Sequence, residues 1–273
     1  LQINKNISWI GVLDHDLVTF DIVMETKYGT TYNSYFIDAG KMAVIDTVKE
    51  KFWPEYKEKL LALTNPQDLE YIICNHTEPD HSGSLKHLLE LAPNATVVGS
   101  GQALAYLGEM MGKPFKSQRV KDGDIIDLGT KKLRIIGAPN LHWPDSIYTY
   151  VEEDKLLFTC DSFGAHFADE KMMDDLVEDY SEAFDYYFDV ILKPYSKFML
   201  KAIEKIKDLP INTICPGHGP ILRTTWKEKV ERTASMASLY LDETQKDNRV
   251  LVAYISAYGY TKQMAVQVAT GLK

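Results

Sequence analysis

The sequence predicts an α/β protein built from short strands and intervening helices. Two observations carry that reading. Strand-sized apolar runs alternate with segments of helical periodicity through the first half of the chain. The candidate functional residues then fall just beyond strand ends, where α/β proteins assemble their sites.

In chain order, Thr31-Tyr32-Asn33-Ser34-Tyr35-Phe36-Ile37 and Met42-Ala43-Val44-Ile45-Asp46 flank Ala39-Gly40, a hairpin signal. Residues 52–63 carry apolar side chains at helical spacing and stop at Asn65-Pro66. Tyr71-Ile72-Ile73-Cys74 reads as a buried strand, 84–91 as a helix ended by Pro93, and Thr96-Val97-Val98-Gly99 as a strand. A helix over 101–111 is stopped by Gly112. Leu133-Arg134-Ile135-Ile136, Ile147-Tyr148-Thr149-Tyr150-Val151 and Leu156-Leu157-Phe158-Thr159 are further strands. The acidic stretch 169–185 reads as a solvated helix face, with docking of an electron donor as the lesser alternative. Helical stretches follow over 181–207, then a strand Thr213-Ile214-Cys215 and a helix over 225–243. Gln245-Lys246-Asp247-Asn248 reads as a linker to a parallel-type strand over 249–255. The turn Ser256-Ala257-Tyr258-Gly259-Tyr260-Thr261 and the start of an amphipathic helix complete a β-turn-α unit. That unit needs further strands to bury its faces, so the expectation is a second domain that has only begun.

The 273 residues suffice for one large domain or one and part of another, and 45% hydrophobic with 25% charged residues is an ordinary globular balance. A net charge of -9 argues against nucleic acid and anionic membranes as partners. No apolar run is long enough to span a bilayer, and the first residues lack the apolar core of a signal peptide. Cys74, Cys160 and Cys215 are odd in number, far apart and outside any C-x-x-C pattern. They fit a reducing cytoplasm and exclude an all-thiolate metal site.

The densest chemistry lies in His76-Thr77-Glu78-Pro79-Asp80-His81. In an extended segment alternate residues face the same way, so His76, Glu78 and Asp80 are expected to converge while His81 points elsewhere. One loop can thereby serve two metal ions. His142, Asp161 and His218 each follow a strand and complete the candidate set. Without a cation, Glu78 and Asp80 packed together would repel. Imidazole and carboxylate without thiolate suit iron, manganese or zinc. The bland alternative, solvated loop histidines, accounts poorly for so many charged groups in six residues.

These residues resemble the metal signature of the metallo-β-lactamase superfamily in its flavodiiron variant. Leu141-His142-Trp143-Pro144-Asp145-Ser146, Asp161-Ser162-Phe163-Gly164-Ala165-His166 and Gly29-Thr30-Thr31-Tyr32-Asn33-Ser34-Tyr35 match in the same order, so the resemblance covers essentially the whole chain. It implies an αββα sandwich over residues 1–246 with a di-iron site at one edge. It also implies the beginning of a flavodoxin-like FMN-binding domain over 247–273. By motif, His76, Glu78 and His142 hold one iron, Asp80, His81 and His218 the other, and Asp161 bridges. Hydrolytic relatives carry histidine at the position of Glu78. The extra carboxylate favours ferric iron and redox cycling, so Glu78 and Asp161 are the residues assigned to catalysis.

Ser256, Tyr258, Gly259, Tyr260 and Thr261 resemble a flavodoxin phosphate loop, in which hydroxyls and helix N-terminal N–H groups cradle the FMN phosphate. The implied function is reduction of dioxygen to water, of nitric oxide to nitrous oxide, or both, with electrons arriving through FMN. A rubredoxin or a flavin reductase would supply them, and a head-to-tail homodimer would bring the flavin of one subunit to the metals of the other. The alternatives are a flavin-independent di-iron oxygen sensor and, disfavoured by Glu78, a zinc hydrolase.

Other polar residues have two readings each. His166 is a hydrogen-bonding group near the site or an ordinary loop histidine. His15, between Asp14 and Asp16, is a charged surface group before it is a ligand. Tyr186 and Tyr187 are core aromatics or phenols near a bound diatomic. The three cysteines precede ligand positions, yet small buried strand residues explain them equally well.

Overall fold

The structure, a computed structural model, describes residues 1–20, 24–246 and 250–272. The strands are β1 (Gln2–Asn4), β2 (Ile7–Trp9), β3 (Val12–Asp14), β4 (Thr19–Phe20), β5 (Met24–Glu25), β6 (Thr30–Tyr32), β7 (Tyr35–Ala39) and β8 (Lys41–Ile45). They continue with β9 (Leu69–Ile73), β10 (Thr96–Ser100), β11 (Ser117–Val120), β12 (Ile125–Asp127), β13 (Lys132–Gly137), β14 (Ile147–Val151), β15 (Leu156–Cys160) and β16 (Thr213–Pro216). The helices are α1 (Trp53–Leu61), α2 (Pro79–Ser82), α3 (Leu85–Leu91), α4 (Gly101–Met111), α5 (Ser181–Tyr187), α6 (Ser196–Ile206), α7 (Trp226–Lys246) and α8 (Tyr260–Gly271).

Two sheets form the centre, one of seven strands in the order β1-β2-β7-β8-β9-β10-β11 and one of five in the order β12-β13-β14-β15-β16. The period of two along each strand sorts side chains into layers. Ile45 of β8 and Phe158 of β15 belong to one apolar cluster with Ile37, Ile73 and Ile135, the seam between the sheets. Their neighbours Val44 and Leu157 point the other way. They pack in a second cluster with Tyr56 and Leu60 of α1, Leu88 of α3, Leu107 of α4 and Met199 of α6. Helices therefore cover the outer faces, giving four layers, α, β, β and α.

Strand direction sets where a site can form. β9 runs parallel to β8 and β10, and β15 runs parallel to β16. β13 and β15 each pair antiparallel with β14, so β13, β15 and β16 end at the same edge. The segments following β9, β13, β15 and β16 carry every residue of the candidate set.

Several sequence expectations are corrected. The single strand read over 31–37 is two, broken at Asn33-Ser34, because Asn33 turns inward to bond the chain near residue 217. Its N–H donates to Gly217 O at 2.9 Å and Nδ2 donates to Pro216 O and Gly219 O. β1 to β5, β11 and β12 are short pieces whose weak alternation leaves no strand signal in the sequence. The helical stretch 181–207 is interrupted by a π turn, Phe188–Leu192, and a 3₁₀ turn at Lys193-Pro194-Tyr195, since Pro194 lacks the N–H an α-helix requires. The acidic stretch is no helix face before Ser181. Buried Asp174 instead accepts from the N–H groups of Arg223, Thr224 and Thr225 ahead of α7.

The start of the expected linker, Gln245-Lys246, is the end of α7, while Asp247, Asn248 and Arg249 lie outside the described residues. Residues 250–255 form no strand: Leu251 and Ile255 are 89% and 95% exposed, and a strand without a neighbour has nothing to bond. The helix expected after the turn is formed as α8.

Phe158 is buried in the seam and meets the Tyr35 ring edge-on at a centroid distance of 4.8 Å. Replacing it with alanine should cost about 3–5 kcal/mol. The check is the urea unfolding midpoint at unchanged slope; a loss below about 1 kcal/mol would mean that the seam does not hold the sheets together.

Candidate metal centre

The segment after β9 is shaped by contacts to its neighbours before any side chain reaches the site. Asp46, at the end of β8, adopts φ +53° and accepts from Asn75 N at 2.7 Å. Asn75 O accepts from Ile147 N, tying the loop to the second sheet. Pro79 then opens the one-turn helix α2, whose fixed φ suits a first helical position. Here the extended-segment expectation fails. His76 and Glu78 do converge, but α2 rotates Asp80 away from them and groups it with His81.

Two sets of donors result. His76, Glu78, His142 and Asp161 place one ligand-type atom each within 4.8 Å of one another, and so do Asp80, His81 and His218. Asp161 touches both. Its Oδ2 lies 3.4 Å from His76 Nε2 and 3.5 Å from His142 Nε2, while Oδ1 lies 3.0 Å from His81 Nε2 and 3.4 Å from His218 Nε2. Glu78 Oε2 sits 3.2 Å from His76 Nε2 and 2.9 Å from His142 Nε2. Asp80 Oδ2 sits 3.2 Å from His218 Nε2.

The donor set fits cations. Both carboxylate oxygens of Asp80 and Oδ2 of Asp161 are buried without a hydrogen bond, a costly state for an anion unless something positive meets it. Electrostatics within the protein says the same. Burial would lower the His218 pKa, but Asp161 and Asp80 outweigh it and hold the imidazole up at about 10. Burial also opposes protonation of His76, and Asp145 and Glu78 still raise it well above its ordinary value. Desolvation would raise Asp161, yet the surrounding imidazoles pull it well below the usual carboxylate range. Three carboxylates thus demand positive charge, which metal ions would supply compactly.

Groups that sequence reasoning missed orient the donors. Asp145 accepts from Thr77 N at 2.7 Å and Thr77 Oγ1 at 2.8 Å, and its Oδ2 lies 3.1 Å from His76 Nδ1, leaving Nε2 for the site. The only available signal was an acid three residues after His142. His218 Nδ1 is 2.6 Å from Thr31 O, which fixes that ring likewise. A Cβ on Gly217 would meet His81 Cε1 at 2.8 Å, so the position before His218 must lack a side chain.

The residues with two readings divide. Tyr187 is buried and its hydroxyl donates to Asp161 Oδ1 at 3.2 Å, whereas Tyr186 is 41% exposed. His166 is buried beside the site, its Nδ1 2.7 Å from Thr30 Oγ1 and its ring centroid 5.0 Å from that of His218. His15 pairs with Glu170 at the surface. All three cysteines are buried and free. Ser256, Tyr258, Gly259, Tyr260 and Thr261 lie at the N-terminus of α8, with Gly259 at φ +87° as its N-cap and Ser256 Oγ buried without a partner. Among the described residues, no helix is long and apolar enough to cross a membrane.

Four layers with paired donor sets at one rim define a metallo-β-lactamase-like protein. The family described as ODP family beta lactamase matches over residues 30–219. The flavodiiron protein FprA2 of Clostridium acetobutylicum is 38% identical over all of this chain and 69% of its own length. The chain belongs to the flavodiiron protein family. A putative diflavin flavoprotein A 1 of Nostoc is 39% identical over 97% of this chain and 46% of its own length, so the chain spans about half of such curated relatives. The solved structure of rubredoxin oxygen:oxidoreductase from Desulfovibrio gigas superposes with a TM-score of 0.81 at 26% identity, covering 100% of this chain and 68% of that one.

Asp145→Ala removes the group that holds His76, and it should weaken binding of divalent metal by about 10–100-fold. Titration of the metal-free protein checks this. Unaltered affinity would mean that His76 is oriented by its packing alone.

Proposed function

We propose that this chain is the metal-bearing part of an oxidoreductase that reduces dioxygen to water, nitric oxide to nitrous oxide, or both. In this reading His76, Glu78 and His142 hold one iron, Asp80, His81 and His218 hold the second, and Asp161 bridges. The observation that carries it is the placement of Asp161, one oxygen toward each donor set, together with a carboxylate at position 78. Two iron ions, when bound, supply an electron reservoir and open positions for a diatomic molecule.

The chain's own groups would set the conditions for that chemistry. Glu78 and Asp80 add negative charge to opposite ends of the centre, which favours hard, higher-valent cations. Tyr187 donates to the bridging carboxylate, and Asp145 and Thr31 fix two imidazoles. The site is largely sealed, with Glu78 and His142 side chains 11% and 15% exposed, so small molecules and electrons would enter at that corner.

Residues 1–246 would form the di-iron domain and 247–273 the beginning of a flavodoxin-like FMN domain. Ser256 Oγ and the N-terminus of α8 are suited to a phosphate dianion, which supports a role for Ser256, Tyr258, Gly259, Tyr260 and Thr261 in holding FMN once that domain is complete. The likeness to rubredoxin oxygen:oxidoreductase of Desulfovibrio gigas supports a rubredoxin-type donor, with a flavin reductase as the other class. The complete protein would act as a head-to-tail homodimer in the cytoplasm.

Two outcomes follow. Loaded anaerobically with ferrous iron and given a competent donor, the protein should consume dioxygen or nitric oxide over many turnovers in stopped flow. Stoichiometric uptake without turnover would favour an oxygen sensor. Glu78→His should move metal preference toward zinc and abolish redox turnover, read by metal analysis and oxygen consumption. Unchanged iron content and activity would remove Glu78 from the explanation.

A further inference from the structure

Trp143 lies between the metal centre and the surface. Its ring meets the buried His76 imidazole edge-on at a centroid distance of 5.2 Å. Tyr106 of α4 meets the same ring edge-on at 6.2 Å. Trp143 and Tyr106 are both half-buried, so a row of touching rings runs from a donor of the site to the outside of α4.

Beside this row lies a cleft of about 630 Å³, where the start of α4 and the end of β11 face the segment 137–147. Gln102 stands one turn before Tyr106, and Pro144 directly follows Trp143, so the cleft and the rings share two elements. Arg119, Lys121 and Lys205 bring positive charge to it. Lys205 is matched by Asp122 at 3.3 Å, but among the described residues Arg119 and Lys121 have no side-chain partner. Arg119 is moreover seated on the start of α4, since a Cβ on Gly101 would come within 2.6 Å of its Nε. A cation there faces the positive end of the helix dipole, an arrangement that gains from an anion nearby. The whole chain carries -9, so an acidic protein is repelled by it overall and attracted at this cleft.

We propose that the cleft docks the acidic face of a one-electron carrier protein, and that Trp143 is the contact through which the electron reaches His76. This rests on the redox reading above. Each docked carrier gives up one electron and is oxidised by one, so two successive dockings take a diferric centre to diferrous. A single cleft suits such an encounter, because electron-transfer interfaces are small and are found quickly through charge. The route needs no flavin, since the docked carrier lies against the loop that holds His142 and Trp143.

The test uses the full chain and a rubredoxin of net negative charge as the carrier. NMR titration with the metal-free chain should show saturable binding that weakens as salt is raised. Arg119→Glu combined with Lys121→Glu should slow association about tenfold or more at low salt, and Lys132→Glu by less than about twofold. Lys132 is exposed at the other end of β13 from Gly137, which lines the cleft. Reduced rubredoxin mixed in stopped flow with the iron-loaded chain, without flavin, should then be oxidised. Trp143→Leu should lose most of that rate while rubredoxin affinity and reduction by dithionite stay unchanged; a distorted His76 would alter the dithionite reaction as well. No binding, binding indifferent to the charge reversal, or an unchanged rate in Trp143→Leu would overturn the proposal. A chain that dithionite reduces and bound rubredoxin does not would overturn this route alone. A chain that dithionite cannot reduce, and that consumes no diatomic molecule, would overturn the redox reading and this proposal with it.

Discussion

One carboxylate organises this molecule's chemistry: Asp161, whose two oxygens face two different sets of imidazoles. An anion so buried survives only where positive charge surrounds it, and everything near it contributes to that requirement. The residue comes at the end of β15, beside β16 in the middle of the rim, where segments from both sheets can reach it. His76 and His81 approach from the first sheet and His142 and His218 from the second. The seam between the sheets and the electrostatics of the site therefore depend on each other.

The polar contacts around the rim read as devices for holding those approaches in register. Asn33 accepts from Trp9 Nε1 and donates to Pro216 O and Gly219 O, locking the His218 loop against the first sheet. Thr47 donates through both N and Oγ1 to His81 O, which fixes α2. Asn75 links Asp46, Thr149 and Phe158 across the seam. Each is buried, and each unmet partner would cost about 1–3 kcal/mol. Such bonds convert a flexible loop into a donor set of fixed geometry, which is what a metal centre needs in order to prefer one ion to another.

Much of this was legible in the sequence because it is local. The strands Ile147–Val151 and Leu156–Cys160 and the helix Gly101–Met111 declare themselves through periodicity and a terminating glycine. The donors are visible because His, Asp and Glu seldom crowd a single loop without a cation. What was not legible depends on contacts distant in sequence. Asp145 finds its role 69 residues from His76, and Asn33 works 183 residues from Pro216. The turn of α2 that parts Asp80 from Glu78 defeats a simple alternation rule, because a proline there starts a helix instead of extending a strand. Residues 250–255 failed for the opposite reason: their local pattern is strand-like, but a strand is a property of pairs.

In the proposed centre Asp161 joins two ions. Mössbauer spectroscopy of the protein loaded anaerobically with iron-57 tests this most directly, with the diferric form examined in an applied field. Two irons per chain are expected, coupled antiferromagnetically to a diamagnetic ground state, with the coupling lost in Asp161→Ala. Saturation at one iron, or two irons that behave as magnetically isolated high-spin ions in the natural sequence, would contradict it.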